Sequence, residues 1–258
     1  GAGLGSSLSL ENVTIQNIID DSVHDTTGLY FLTGGNATSS IKNVTIKNYG
    51  WTGVLIGSLA GDGDQIINID GLHIDGRNDK NYLTNGLDIR GSSYRNLIIN
   101  ANNVYVENCD YVDEDWAAFA IIVSPESGHY GSENVSVSLS FENSMITNSA
   151  NALHFESSGR ADTVNFECTI FDHITNHDLV WFGKESESSS RLTVNQSYSN
   201  REGSINYLIS SEDLDSEYIG YDPIIYLPEI TNSFNNAEYP TSDFGKDTMS
   251  FTLSNIYN

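Results

Sequence analysis

A short string recurs along this chain with its pattern broken each time at the same place. It reads LENVTI from Leu10, IKNVTI from Ile41, IDGLHI from Ile69, NNVYV from Asn102 and FENSMI from Phe141. Apolar and polar residues alternate as in half-buried strands. The alternation fails at Asn12, Asn43, Gly71, Asn103 and Asn143. Asn and Gly tolerate a left-handed backbone, so the chain is expected to turn a sharp corner there between two short strands. A corner repeated at near-constant spacing implies stacked coils. Stacking would align the Asn side chains into a ladder hydrogen-bonded from coil to coil.

A second set of strings runs out of phase with the first: TGLYF from Thr27, TGVLI from Thr52, NGLDI from Asn85, FAI from Phe119, NALHF from Asn151, DLVW from Asp178 and YLI from Tyr207. Their first inward-looking residues fall at 29, 54, 87, 119, 153, 179 and 207, in steps of 25, 33, 32, 34, 26 and 28. A mean of about 30 residues lies in the range of solenoid repeats. Helical periodicity is sustained nowhere, and a β-sandwich, the competing architecture, has no reason to repeat one corner. The expected fold is all-β, a parallel β-helix of about seven to eight coils rising roughly 4.8 Å each, a rod roughly 35–40 Å long. Residues 1–209 are assigned to the helix. Residues 210–258, irregular and containing Pro223, Pro228 and Pro240, are assigned to a segment of the same domain that caps or wraps it. Gly1 to Ser7 reads as a coil cut through, as in a fragment of a longer surface protein.

Composition narrows the function classes. Of 258 residues, 35 are acidic and 11 basic, a formal net charge of -24. Such a surface repels phosphates and anionic lipid, so nucleic acid is not an expected partner. No run of about 18 apolar residues occurs, so membrane insertion of this segment is not expected either. Only Cys109 and Cys168 are present; placed about two coils apart they lie beyond disulfide reach, and both are expected to be free, buried thiols. The sequons at Asn12, Asn36, Asn43, Asn134 and Asn195 are taken as by-products of an Asn/Thr-rich composition, since two occupy ladder corners.

The corner pattern and coil length, from Leu8 to about Ile209, resemble the right-handed parallel β-helix of the pectin lyase-like superfamily. The stretch Gly71–Val123 is similar to the central coils of its polygalacturonase-type glycoside hydrolases. Where that family shows Asn-Thr-Asp-Gly-Ile-Asp, this chain has LTNGLD over 83–88, which puts Asn85 at the position of the first catalytic Asp. An amide there has no proton to exchange near neutral pH. The family's Asp-Asp pair, aligned without a gap, falls on Trp116 and Ala117, with the acids displaced to 113–115; its Gly-His-Gly and Arg-Ile-Lys elements have no clear counterparts. A pectate-type lyase would need Ca²⁺ held by several carboxylates. Asp62, Asp64 and the run Asp110 to Asp115 are the candidates, against their plain reading as solvated turns. No cofactor is otherwise expected, and no metal-ligand set is assigned.

Candidate site residues come from strand phase and from local charge. In the strings over 87–90 and 153–156, alternation sends Asp88, Arg90, His154 and Glu156 outward on one face, two coils apart. The intervening string is expected to present small Ala120, leaving a groove about 10 Å long for a sugar. Asp88, Asp115 and His154 are the residues that would act if the protein were an enzyme; such separated groups suit an inverting hydrolase. Glycan binding is assigned to Arg77, Arg90, Tyr82, Trp116 and Glu156. The basis is a cluster of four basic residues, Arg77, Lys80, Arg90 and Arg95, and aromatics at strand ends, among them Tyr49, Trp51 and Tyr111, that could stack on sugar rings. The plain alternatives are ion pairs with Asp75, Asp79 and Asp88, and Trp side chains that pack a coil end.

These observations lead to an expected secreted or cell-surface module for adhesion or glycan binding, similar to adhesin and autotransporter passenger domains. It would be non-catalytic, with a polysaccharide or a host or cell-surface glycan or protein as partner. A glycan-cleaving hydrolase or lyase of the same superfamily is the alternative, followed by a tailspike-like trimer, so self-association stays open. Fold alone does not separate them.

Overall fold

The structure, a computed structural model, describes residues 7–19, 26–33, 37–58, 63–77, 79, 83–91, 96–111, 118–125, 137–156, 161–167, 169–182, 191–196, 207–208 and 249–254. Among them there is no helix, and so none long and apolar enough to cross a membrane. The strands are β1 (Ser9–Ile18), β2 (Thr27–Thr33), β3 (Ala37–Tyr49), β4 (Thr52–Ser58), β5 (Gln65–Asp75), β6 (Asn85–Gly91), β7 (Leu97–Glu107) and β8 (Phe119–Pro125). They continue as β9 (Val137–Glu142), β10 (Met145–Glu156), β11 (Ala161–Glu167), β12 (Ile170–Phe182), β13 (Arg191–Gln196), β14 (Tyr207–Leu208) and β15 (Met249–Ser254).

Strands alternate between two parallel ladders. One runs β1, β3, β5, β7, β9, β11, β13; the other runs β2, β4, β6, β8, β10, β12, β14. The long strands turn corners and serve more than one face: the start of β10 continues the ladder from Tyr105–Glu107 of β7, and its end pairs with β8. Wrapping about 309° round its axis, the sheet is a parallel β-helix, as the repeat predicts. The stack ends differently at its C-terminal side, where β15 pairs antiparallel with β13. The remainder of the 210–258 segment lies outside the described residues.

The corners stand where the broken alternation places them. Asn12, Asn43, Asn103 and Asn143 have φ of 56°, 49°, 54° and 48°, and Gly71 has φ 77°. A second left-handed corner, not anticipated from the pattern, follows at Asn17, Asn48, Asn108, Asn148 and His173, with φ of 63°, 51°, 60°, 48° and 52°. The ladder is hydrogen-bonded as expected. Asn43 Nδ2 donates to Asn12 Oδ1 (3.2 Å) and Asn48 Nδ2 to Asn17 Oδ1 (2.8 Å). Asn143 donates to Asn102, which donates in turn to Asp70. Carboxylates only accept, so bonds from Asn96 to Asp64, Asn102 and Asn103 to Asp70, and Asn108 to Asp75 fix a common direction: the amide N–H points back to the preceding coil.

The core is a column of Ile, Val, Leu and Phe rows supplied by both ladders. Register corrects one repeat assignment. Leu29, Val54, Leu87, Ile121, Leu153, Leu179 and Tyr207 align, so the residue equivalent to Leu87 is Ile121, two places beyond Phe119. Beside this row a narrow position is filled by Gly28, Gly53, Gly86, Ala120 and Ala152. A Cβ on Gly86 would lie 2.3 Å from the Ala120 carbonyl oxygen and 2.6 Å from Val106 Cγ1. Tyr49 is a second correction: it is fully buried, its hydroxyl 3.8 Å from Cys109 Sγ, and it takes no part in an exposed aromatic platform. Cys109 is a free, buried thiol, as expected, and Cys168 lies outside the described residues. Burial is the main force holding the Cys109 thiol up at about 12, and it likewise raises the Tyr49 phenol well above its usual value.

Candidate functional site

Register brings Asp88 and His154 onto one outward row of the second ladder, which runs Tyr30, Leu55, Asp88, Ile122, His154. The two are two coils apart, as the strand phase predicts. The small residue expected to open a groove between them does not stand there. The groove floor was assigned to Ala120, which is 0% exposed in the narrow core position, and the residue standing between Asp88 and His154 is Ile122. Ile122, itself half-buried, is the bulkier residue at that place.

Asp88 is also not the solvated carboxylate that alternation suggests, being 3% exposed. Its row neighbours are Leu55 and Ile122, both apolar, and they shed the water that would hydrate it. Arg90, two residues along β6, supplies the compensating charge. Its Nη2 donates to Asp88 Oδ2 at 2.9 Å, and its Nε lies 3.2 Å from Oδ2 and 3.4 Å from Oδ1. Both of the closer contacts converge on Oδ2, and this ion pair compensates the charge of the buried carboxylate. His154 is half-buried and meets the Phe119 ring edge-on, with centroids 4.8 Å apart.

Asn85 is buried, and its Oδ1 accepts the backbone N–H of Phe119 at 2.9 Å. The position that resembles a catalytic acid therefore holds the start of the next coil in place. Arg77 is half-buried in the turn after β5, on a different element from Arg90. Glu156 belongs to β10, where its backbone alone is described, while Tyr82, Asp115 and Trp116 lie outside the described residues. Trp51 and Tyr111 are half-buried.

A denser group of chemically active side chains, missed by the sequence reading, sits on the first ladder in the limb between the two corners. Burial of Leu72 and Ile74 turns His73 and Asp75 outward on β5, and burial of Val104 and Val106 does the same for Tyr105 and Glu107 on β7. His73 Nε2 lies 2.8 Å from Glu107 Oε1, and Tyr105 donates its hydroxyl to Glu107 Oε2 at 2.9 Å. The His73 and Tyr105 rings stack, with centroids 4.8 Å apart. Desolvation, followed by the bond to Glu107, lifts the Tyr105 phenol to about 12, so it remains a donor across the physiological range. The signal was present in two polar residues per string at the same phase, but only the register shows that they meet.

Comparison of the chain with protein-family models, with curated proteins and with solved structures returns no match in any of the three.

Proposed function

We propose that this chain is a secreted or cell-surface β-helical module, of the pectin lyase-like kind, that binds a glycan for adhesion without cleaving it. The observation that carries the reading is Asn85. At the position resembling a catalytic acid, an amide is committed to the Phe119 N–H, and the carboxylate three residues on, Asp88, is paired with Arg90. A glycosidase needs two carboxyl groups free to face the scissile bond. Regular outward rows of amides, hydroxyls and carboxylates, by contrast, suit an extended contact with sugar hydroxyls. Exposure outside the cell accords with the low cysteine content and with polarity drawn from Ser, Thr and Asn.

A glycan array run beside a reducing-end assay on the same glycans tests this. Retention of at least one glycan class with no new reducing ends is the expected result. New reducing ends would select the hydrolase or lyase alternative, and neither binding nor cleavage would overturn both.

A further inference from the structure

We propose that His73, Asp75 and Glu107 form a binding site for a first-row divalent metal ion such as Zn²⁺. The proposal is independent of the glycan reading, since it concerns the other ladder. One nitrogen and two carboxylate oxygens, one from each of these side chains, lie within 4.8 Å of one another. Donors around a single Zn²⁺ at about 2 Å stand roughly 3–4 Å apart, so only small side-chain adjustments are needed to close the set.

The pairing itself calls for a cation. Asp75 and Glu107 are directly opposite in adjacent parallel strands, a like-charge juxtaposition that costs stability unless it is compensated. His73 is in register with Tyr105, which places its imidazole diagonally toward Glu107. Lys47 Nζ approaches Asp75 Oδ2 only to 3.6 Å from a half-buried position, a loose pair that a doubly charged ion would displace.

Independently of the charges, each donor is held in orientation by a neighbour that would not itself bind the ion. Asn108 Nδ2 donates to Asp75 Oδ1 at 2.8 Å, which leaves Oδ2 to the site. Tyr105 takes Glu107 Oε2, leaving Oε1 beside the imidazole, and its ring lies against that imidazole. Hydrogen bonds of this outer kind are what fix ligand geometry in metal sites. The His73 nitrogen and Glu107 Oε1 already face each other at 2.8 Å, and an entering ion would take both atoms in place of that contact. A set of one imidazole and two carboxylates matches Zn²⁺ and its neighbours, whereas Ca²⁺ seeks about six to eight oxygens. Three protein ligands leave a coordination position open on the outer surface.

The test is calorimetric titration of ZnCl₂ into the whole protein at about 0.15 M salt, where surface attraction is largely screened. One equivalent should bind, with excess Ca²⁺ failing to compete. His73→Gln, which leaves the formal charge unchanged, should weaken binding at least tenfold, and Tyr105→Phe about tenfold, with melting temperatures of the metal-free proteins near that of the parent. Asp64→Asn, which removes an exposed carboxylate elsewhere, should change nothing. Equal binding by His73→Gln, or equal losses in His73→Gln and Asp64→Asn, would mark Zn²⁺ as adventitious on an acidic surface and overturn the proposal, as would the absence of saturable binding.

Discussion

At Asn43 one side chain meets two demands: the backbone sits at φ 49°, and the amide donates to the coil before it. A left-handed residue with a Cβ costs about 1–2 kcal/mol, and an exposed hydrogen bond returns about 0.5–1 kcal/mol. Asn43→Ala should therefore lower unfolding stability in urea by about 2 kcal/mol, and Asn43→Gly by less than half of that, since Gly keeps the corner and loses only the amide. Equal losses would mean that the corner is not strained. Cys109 sets a pH dependence. Its folded value of about 12 exceeds the ordinary 9.0, so the folded state holds the proton more tightly than the unfolded one. That contribution is complete below pH 9 and is lost as pH rises toward 12, at about 1.4 kcal/mol per pH unit. Tyr49, raised in the same direction by burial, adds to the loss above pH 10. Urea midpoints should be flat from pH 7 to 8.5 and fall beyond 9, and Cys109→Ala should flatten the first part of that fall.

Between elements, the narrow position beside the core decides how closely coils stack. At Gly86 an added methyl would meet the Ala120 carbonyl at 2.3 Å, a backbone atom that moves only with its whole strand. Gly86→Ala should cost about 1–3 kcal/mol through overpacking, although Ala is accepted in the same row at 120 and 152. Thermal unfolding of Gly86→Ala alongside Ala120→Gly checks this: the first should lose clearly more than the second. A small or absent loss at Gly86 would show that the strand can yield. The same crowding explains why the second string has Gly as its second residue in its early copies, a regularity visible in the sequence whose cause is the approach of the neighbouring coil.

Over the whole molecule, a stack of parallel strands has two ends and must manage both. β15 lies antiparallel along β13, from Arg191 opposite Ser254 to Gln196 opposite Met249, and occupies the hydrogen-bonding edge of β13 that faces away from β11. A chain ending at Thr248 would expose that edge. It should self-associate with rising concentration in sedimentation experiments while keeping the circular dichroism of a β protein. A truncated chain that stayed monomeric would mean that the edge is protected in another way.

The fold was legible because a β-helix repeats its local rules: each Asn corner is specified by its own residue, and the step of about 30 residues recurs coil after coil. Even the missed second corner was written locally, as Asn five residues after Asn in the copies at Asn12, Asn43, Asn103 and Asn143. Sites obey no such local rule. Phase alone turned Asp88 outward, correctly, but whether an outward carboxylate meets water depends on Leu55 and Ile122, which come from coils more than thirty residues away in either direction. Likewise His73 and Glu107 are 34 residues apart, and neither string announces the other. Direction along a strand is a property of the chain, and it was read from sequence. Burial and proximity across strands depend on the register between coils of unequal length, and only the tertiary structure decided them.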